Sequence, residues 1–221
     1  IVVKHTTQSN SSSFTTTGLL GADQVTSLSG QASSKNVGTF TDVLTNAAGS
    51  GLSNYAITYI NGAITITPAT LNVTGASSTG TYNGTQQTNT YQVTGLQGTD
   101  GLSVTGVASG LNAGNYNDSL VVAPNTGTSL GNYSLTTTNG SLAIAQAPIS
   151  AVLSANDKMY DATTAATGTV SLRGLFGSDV VVGTPSAIAF SDANVGTAKA
   201  ASATGVSLSG AAAANYVLTS S

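Results

Sequence analysis

Apolar and polar residues alternate along much of this chain, with the two-residue period of a half-buried strand. Tyr55-Ala56-Ile57-Thr58-Tyr59-Ile60 alternates in this way, as do Ala63-Ile64-Thr65-Ile66-Thr67 and Ser141-Leu142-Ala143-Ile144-Ala145. Helix formers are scarce: glutamate is absent and Lys plus Arg total 5. The pattern therefore predicts an all-β chain with at most short helical turns. Asn61-Gly62 and Asn139-Gly140 stand between alternating runs. An Asn-Gly pair suits the positive φ angles of a tight hairpin turn, so hairpins are expected there. Thr67-Pro68-Ala69 and Ala147-Pro148-Ile149 follow, and proline, lacking an N–H, should stop pairing with the strand just ended and mark a joint.

The elements recur. Gly18-Leu19-Leu20-Gly21-Ala22-Asp23 returns as Gly95-Leu96-Gln97-Gly98-Thr99-Asp100 and as Gly174-Leu175-Phe176-Gly177-Ser178-Asp179, at steps of 95 − 18 = 77 and 174 − 95 = 79. Asn54-Tyr55, Asn132-Tyr133 and Asn215-Tyr216 keep pace, as do Asn36-Val37-Gly38, Asn112-Ala113-Gly114 and Asn194-Val195-Gly196. Markers in one order at nearly the same period indicate about three tandem copies of a small domain. The expected boundaries are 1–68, 69–148 and 149–221, with almost no linker. Each copy is expected to be a small sandwich-like or β-grasp-like unit, and the array to be elongated. By spacing, His5 falls where Tyr82 falls, since 18 − 5 and 95 − 82 both equal 13. The first copy is thus expected to lack its opening strand and the third its closing strand, as in a piece taken from a longer array or one completed by strand exchange.

Composition narrows the function. The formal net charge is −3 and only 6% of residues are charged. Nucleic-acid binding needs a basic footprint, and an anionic membrane needs a basic amphipathic stretch; neither is present. No apolar run approaches the ~20 residues of a membrane helix. Cysteine is absent, which is compatible with any compartment, including an exterior where free thiols would oxidise.

Candidate chemistry is thin. His5 is the only histidine, so a Ser-His-Asp device would have to use it, and no enzyme is expected. One His and no Cys make a poor zinc site. Calcium is the single metal that the recurring Asp23, Asp100 and Asp179 bring into consideration. It wants six to eight oxygens, and no Asp-x-Asp-x-Asp run occurs. The expectation is no cofactor: the repeated Asp closes its own turn or caps a short helix. The repeated Tyr55, Tyr133 and Tyr216 are read as core rings at strand starts. Gly18, Gly95 and Gly174 are read as turn positions of positive φ.

The third copy carries Lys158-Met159-Tyr160-Asp161-Ala162-Thr163-Thr164, then Gly174 to Asp179, Ala193-Asn194-Val195-Gly196, Leu208-Ser209-Gly210 and Asn215-Tyr216. The second opens on Tyr82-Asn83-Gly84-Thr85. This order resembles the YDG-type domain of bacterial surface adhesins. The first two copies resemble the related mostly bacterial glycine-rich (MBG) repeat, through Asn36 to Phe40, Asn54 to Tyr59 and Gly62 to Pro68. Ala162 departs from the Gly usual in the motif.

The resemblance implies a non-enzymatic stalk segment of a secreted, filamentous-haemagglutinin-like adhesin at the bacterial cell surface, active in attachment or biofilms. It also implies neighbouring repeats as the main partners. Self-association through sheet edges, as a filament subunit, and a glycan- or host-protein-binding module remain the alternatives. No nucleic acid and no membrane insertion are expected.

Overall fold

A computed structural model describes residues 2–5 and 14–219. The chain is all-β: short strands form several small sheets, and the helical elements among the described residues are three 3-10 turns, Leu52–Asn54, Leu130–Asn132 and Ala213–Asn215. The Gly-Leu-x-Gly-x-Asp phrases are tight turns in which the Asp N–H bonds back to the residue three before it, at 3.2 Å for Asp23, 3.0 Å for Asp100 and 3.1 Å for Asp179. Gly18, Gly95 and Gly174 do have positive φ, at 90°, 97° and 97°, which an L side chain would adopt only with strain.

The chain divides into two compact units. The first holds Ile1–Asn72, Thr94–Leu102 and Pro124–Thr136; the second holds Val73–Val93, Ser103–Ala123 and Thr137–Ser221. The middle sequence repeat thus contributes to both. In the first unit, Val2–His5 pairs antiparallel with Phe14–Thr17 and in parallel with Thr58–Ile60. Gly38–Thr41 pairs with Ala63–Ile66, and Gln24–Ser29 with Thr45–Ser50. Leu44, Ile64, Leu71 and Tyr133 are buried there.

In the second unit, Ala147–Ala155 pairs antiparallel with Gly168–Arg173 and in parallel with Tyr216–Leu218. Ser141–Ala145 lies between Gly114–Asn117 and Ser77–Thr81. Burial follows the pleat: Leu142 and Ile144 face inward, joined by Tyr82, Ala108, Ala147, Ile149 and Tyr216 in one cluster.

Two expectations change. First, Val2–His5 makes the same two pairings as the strand Ala147–Ala155, so the first repeat has an opening strand. Its register sets His5 opposite Phe14, as Leu153 is set opposite Val170; His5 is therefore not the counterpart of Tyr82. The closing strand of the third repeat concerns chain beyond Thr219, outside the described residues.

Second, the Asn-Gly pairs are not hairpin turns. The strands on either side of each fall in different sheets, and neither glycine has positive φ. Gly140 is needed for close approach instead: a Cβ there would lie 2.0 Å from the Ala76 carbonyl oxygen. The asparagines brace the crossing, Asn61 Oδ1 accepting from Leu44 N–H at 3.1 Å and Asn139 Oδ1 from Leu120 N–H at 3.0 Å. Pro148 is the second residue of the strand Ala147–Ala155, in register with Val217, and that strand lies in a different sheet from Ser141–Ala145, the strand just ended.

Candidate functional site at the joints between repeats

The repeated phrases meet in space. Each 3-10 turn ends on the repeated Asn, and the Tyr that follows is extended, with φ of −125°, −127° and −126° at Tyr55, Tyr133 and Tyr216. The two neighbouring side chains take on separate tasks. The Tyr side chain reaches the Gly-Leu-x-Gly-x-Asp turn of its own repeat. Tyr55 Oη donates to Asp23 Oδ2 at 2.7 Å, Tyr133 to Asp100 at 2.5 Å and Tyr216 to Asp179 at 2.5 Å. Each hydroxyl also accepts a backbone N–H from the third residue of that turn: Leu20 at 3.0 Å, Gln97 at 3.1 Å and Phe176 at 2.8 Å.

The acidic residue is therefore no local cap. Its backbone closes the turn, and its carboxylate receives a phenol 32 to 37 positions away. These bonds favour the neutral phenol and, at Asp179, the charged carboxylate. Bonds from Tyr216 and then Tyr82 hold Asp179 below the usual carboxylate range. The bond to Asp23 raises Tyr55, opposed by the Leu20 N–H. The bond to Asp100, with burial, raises Tyr133. Burial and then the bond to Asp179 raise Tyr216.

The Asn side chain reaches the preceding repeat. Asn132 Oδ1 accepts from Val37 N–H at 2.9 Å, and its Nδ2 donates to Asn36 Oδ1 at 3.2 Å. Asn215 Oδ1 accepts from Ala113 N–H at 2.9 Å, and its Nδ2 donates to Asn112 Oδ1 at 3.1 Å. The same clasp is made twice, by the Asn of one repeat on the Asn-x-Gly of the repeat before it. One clasp lies inside the first compact unit and the other inside the second.

An aromatic contact joins the second clasp. Tyr82 of the middle repeat is buried against Phe176 and Tyr216 of the third, with ring centroids 6.0 and 5.3 Å away, both edge-on. Its hydroxyl donates to Asp179 Oδ2 at 2.7 Å, so one carboxylate receives two phenols from two repeats. The Asp179 bond, then burial, push Tyr82 up to about 12. A shallow cleft of about 380 Å³ runs beside this contact, lined by Asn83, Gly84, Thr85 and the Phe176–Asp179 turn. Tyr160, which stands 78 residues after Tyr82, is largely exposed.

Sequence reasoning missed Asp42 and Asp118, which step by 118 − 42 = 76, the same step as Asn36 to Asn112. That shared step was the available signal. Both are buried. Asp118 accepts from Ala108 N–H at 2.7 Å, Gly140 N–H at 2.9 Å and Asn89 Nδ2 at 3.0 Å. Burial pushes its pKa up, but these bonds, led by that from Ala108, outweigh burial and hold it below the usual range. Asp42 accepts from Ala32 N–H at 2.8 Å and Gly62 N–H at 3.0 Å. These carboxylates tie the crossing loops of the first two repeats.

Among the described residues no group of three or more His, Cys, Asp or Glu could hold a metal ion, and no helix is long and apolar enough to cross a membrane. The repeated Asp carboxylates are engaged by phenols instead.

Residues 145–221 match the family model of the YDG domain, which includes Tyr160, Gly174, Asp179 and Tyr216. The resemblance read from the third repeat's motifs is thereby shown for that segment. No curated protein and no solved structure matches the chain.

Proposed function

We propose that this chain is a non-enzymatic stalk segment of a secreted bacterial surface adhesin, spacing an adhesive region from the cell in attachment or biofilm formation. The observation that carries the reading is the recurring clasp. Asn215 reaches a residue 102 positions earlier, and Asn132 one 95 positions earlier, to make the same pair of bonds. A joint built from side-chain bonds resists bending, whereas a Gly/Ser tether would not. A surface of Ser, Thr, Asn and Gly with few charges suits a spacer with few attractions of its own. The YDG match supports the same context by resemblance.

The test is replacement in the parent protein. Deleting the segment should reduce attachment of the source cells. An unrelated, non-adhesive β-domain spacer of equal length should restore it, and antibody to the segment should label intact cells. Attachment that needs this particular sequence, rather than its length, would show that the segment itself binds the target.

A further inference from the structure

The chain holds three Asn-Gly pairs: Asn61-Gly62, Asn83-Gly84 and Asn139-Gly140. An asparagine followed by glycine can modify itself. The glycine nitrogen attacks the side-chain amide carbon, and the missing Cβ leaves that nitrogen open. All three asparagines are exposed, so contact with water does not separate them. Their hydrogen bonds do.

At Asn61 and Asn139 both reacting groups are engaged elsewhere. Asn61 Oδ1 is held by Leu44 N–H and Asn139 Oδ1 by Leu120 N–H, 17 and 19 positions away. The nitrogens that would attack donate to buried carboxylates, Gly62 N–H to Asp42 at 3.0 Å and Gly140 N–H to Asp118 at 2.9 Å. Taking a proton from either nitrogen would set a second negative charge against the carboxylate.

Asn83 is arranged the other way. Its Oδ1 accepts from Thr85 N–H at 3.0 Å and from Thr85 Oγ1 at 2.8 Å. This turn folds the amide back over the peptide that holds the Gly84 nitrogen. The two donors point at the oxygen that carries negative charge once the amide carbon is attacked, as the donors of an oxyanion hole do.

We infer that Asn83-Gly84 is a site of spontaneous deamidation, and that its product loosens the joint between the second and third repeats. The Gly84 nitrogen loses its proton to solvent and bonds to Asn83 Cγ. The Cγ–Nδ2 bond breaks, and ammonia leaves with a proton taken from solvent. Water then opens the five-membered ring. Cleavage at Cγ gives aspartate, and cleavage at the main-chain carbonyl carbon gives isoaspartate. Water is the only co-reactant, and nothing is oxidised or reduced. Either product puts a new carboxylate in the cleft that Asn83 shares with Asp179, the group that receives both phenols. Isoaspartate also lengthens the main chain by a methylene next to Tyr82, which is buried in the joint. The inference does not depend on the cell-surface role, which the spacer replacement tests separately.

Ageing the whole chain in mildly alkaline buffer, with peptide mass mapping, tests it. Asn83 should convert first, with Asn61 and Asn139 slower by at least about tenfold, the worth of one or two hydrogen bonds. Strong urea erases the folded environments, so the three rates should converge there. Thr85→Val, which removes the hydroxyl donor and keeps the backbone one, should slow Asn83 by about two- to tenfold. The acidic species is then separated by anion exchange. Its Phe176 N–H, bonded to Tyr216 Oη, should exchange faster than in fresh protein. Native rates at Asn61 or Asn139 equal to that at Asn83 would overturn the site, as would an unchanged rate in Thr85→Val. Unaltered exchange at Phe176 would overturn the loosening. The comparison of native and urea rates needs no variant, so it stands even if Thr85→Val melts early.

Discussion

Replacing Asn215 with Ala removes one clasp and leaves its turn in place. The 3-10 turn is held by backbone bonds, Asn215 N–H to Ala212 at 3.0 Å and Tyr216 N–H to Ala213, which alanine keeps. Two side-chain bonds are lost, at 2.9 and 3.1 Å. Each is worth about 0.5–1.5 kcal/mol net. Ala113 N–H, half-buried, also loses its acceptor, and an unsatisfied buried donor costs about 1–3 kcal/mol. Asn215 itself is only 5% exposed, so water replaces little of what it gave. The sum is roughly 2–6 kcal/mol.

Asn132→Ala should cost less, because its site is half-exposed and water can take the freed groups. Urea unfolding measures the loss, and amide exchange locates it: Ala113 N–H should lose protection in Asn215→Ala and keep it in Asn132→Ala. Asn215→Asp, which retains the acceptor for Ala113, should fall between wild type and Asn215→Ala. Unchanged exchange at Ala113, or equal losses for both alanine variants, would refute the clasp.

Tyr82 should ionise only near pH 12; the raised pKa means its stabilisation is complete below the ordinary value of about 10 and lost as pH rises through 12. A single tyrosine step near the ordinary value in an ultraviolet titration would contradict this. Asp118 and Asp179 are held low, so their stabilisation is present above an unfolded value of about 3.9 and lost as pH falls through the lower folded values. Asp118→Asn should flatten that acid limb of the stability curve. Gly75→Ala should destabilise by about 1–3 kcal/mol or more, since a Cβ there would lie 2.0 Å from Asp118 Oδ2 and 2.6 Å from the Gly140 nitrogen; a melting curve unchanged by it would refute that packing. Chelator should leave the melting temperature where it is, and a fall of many degrees would point to a bound cation.

The strands were legible because burial on one face writes itself into alternation, as at Leu142 and Ile144. The Asn-Gly pairs misled because glycine answers two needs, positive φ and close approach, and a single sequence does not separate them. At Gly140 the nearby Ala76 carbonyl decides. The markers of the joints were visible as repeats, but not their partners. Asp179 lies 37 residues from Tyr216 and 97 from Tyr82, separations that only the folded chain closes. The similar steps of the Asn-x-Gly phrases (76 and 82) and the Asn-Tyr phrases (78 and 83) showed that both mattered, without showing that one belongs to the repeat after the other.

The clasp has a consequence for how such a chain can change length over generations. Each repeat carries both halves of the joint, an Asn that reaches back and an Asn-x-Gly that is reached. Unequal recombination that inserts or deletes one whole period therefore brings matching halves together again, and no new contact has to be invented. The same arrangement penalises an excised period. A fragment of residues 69–148 would carry Tyr82 without Asp179 and Tyr216, and Asn132 without Asn36. The genetic unit and the cooperative unit are out of phase, so copy number is free to drift while a lone copy is left with bare rings and unmet amides.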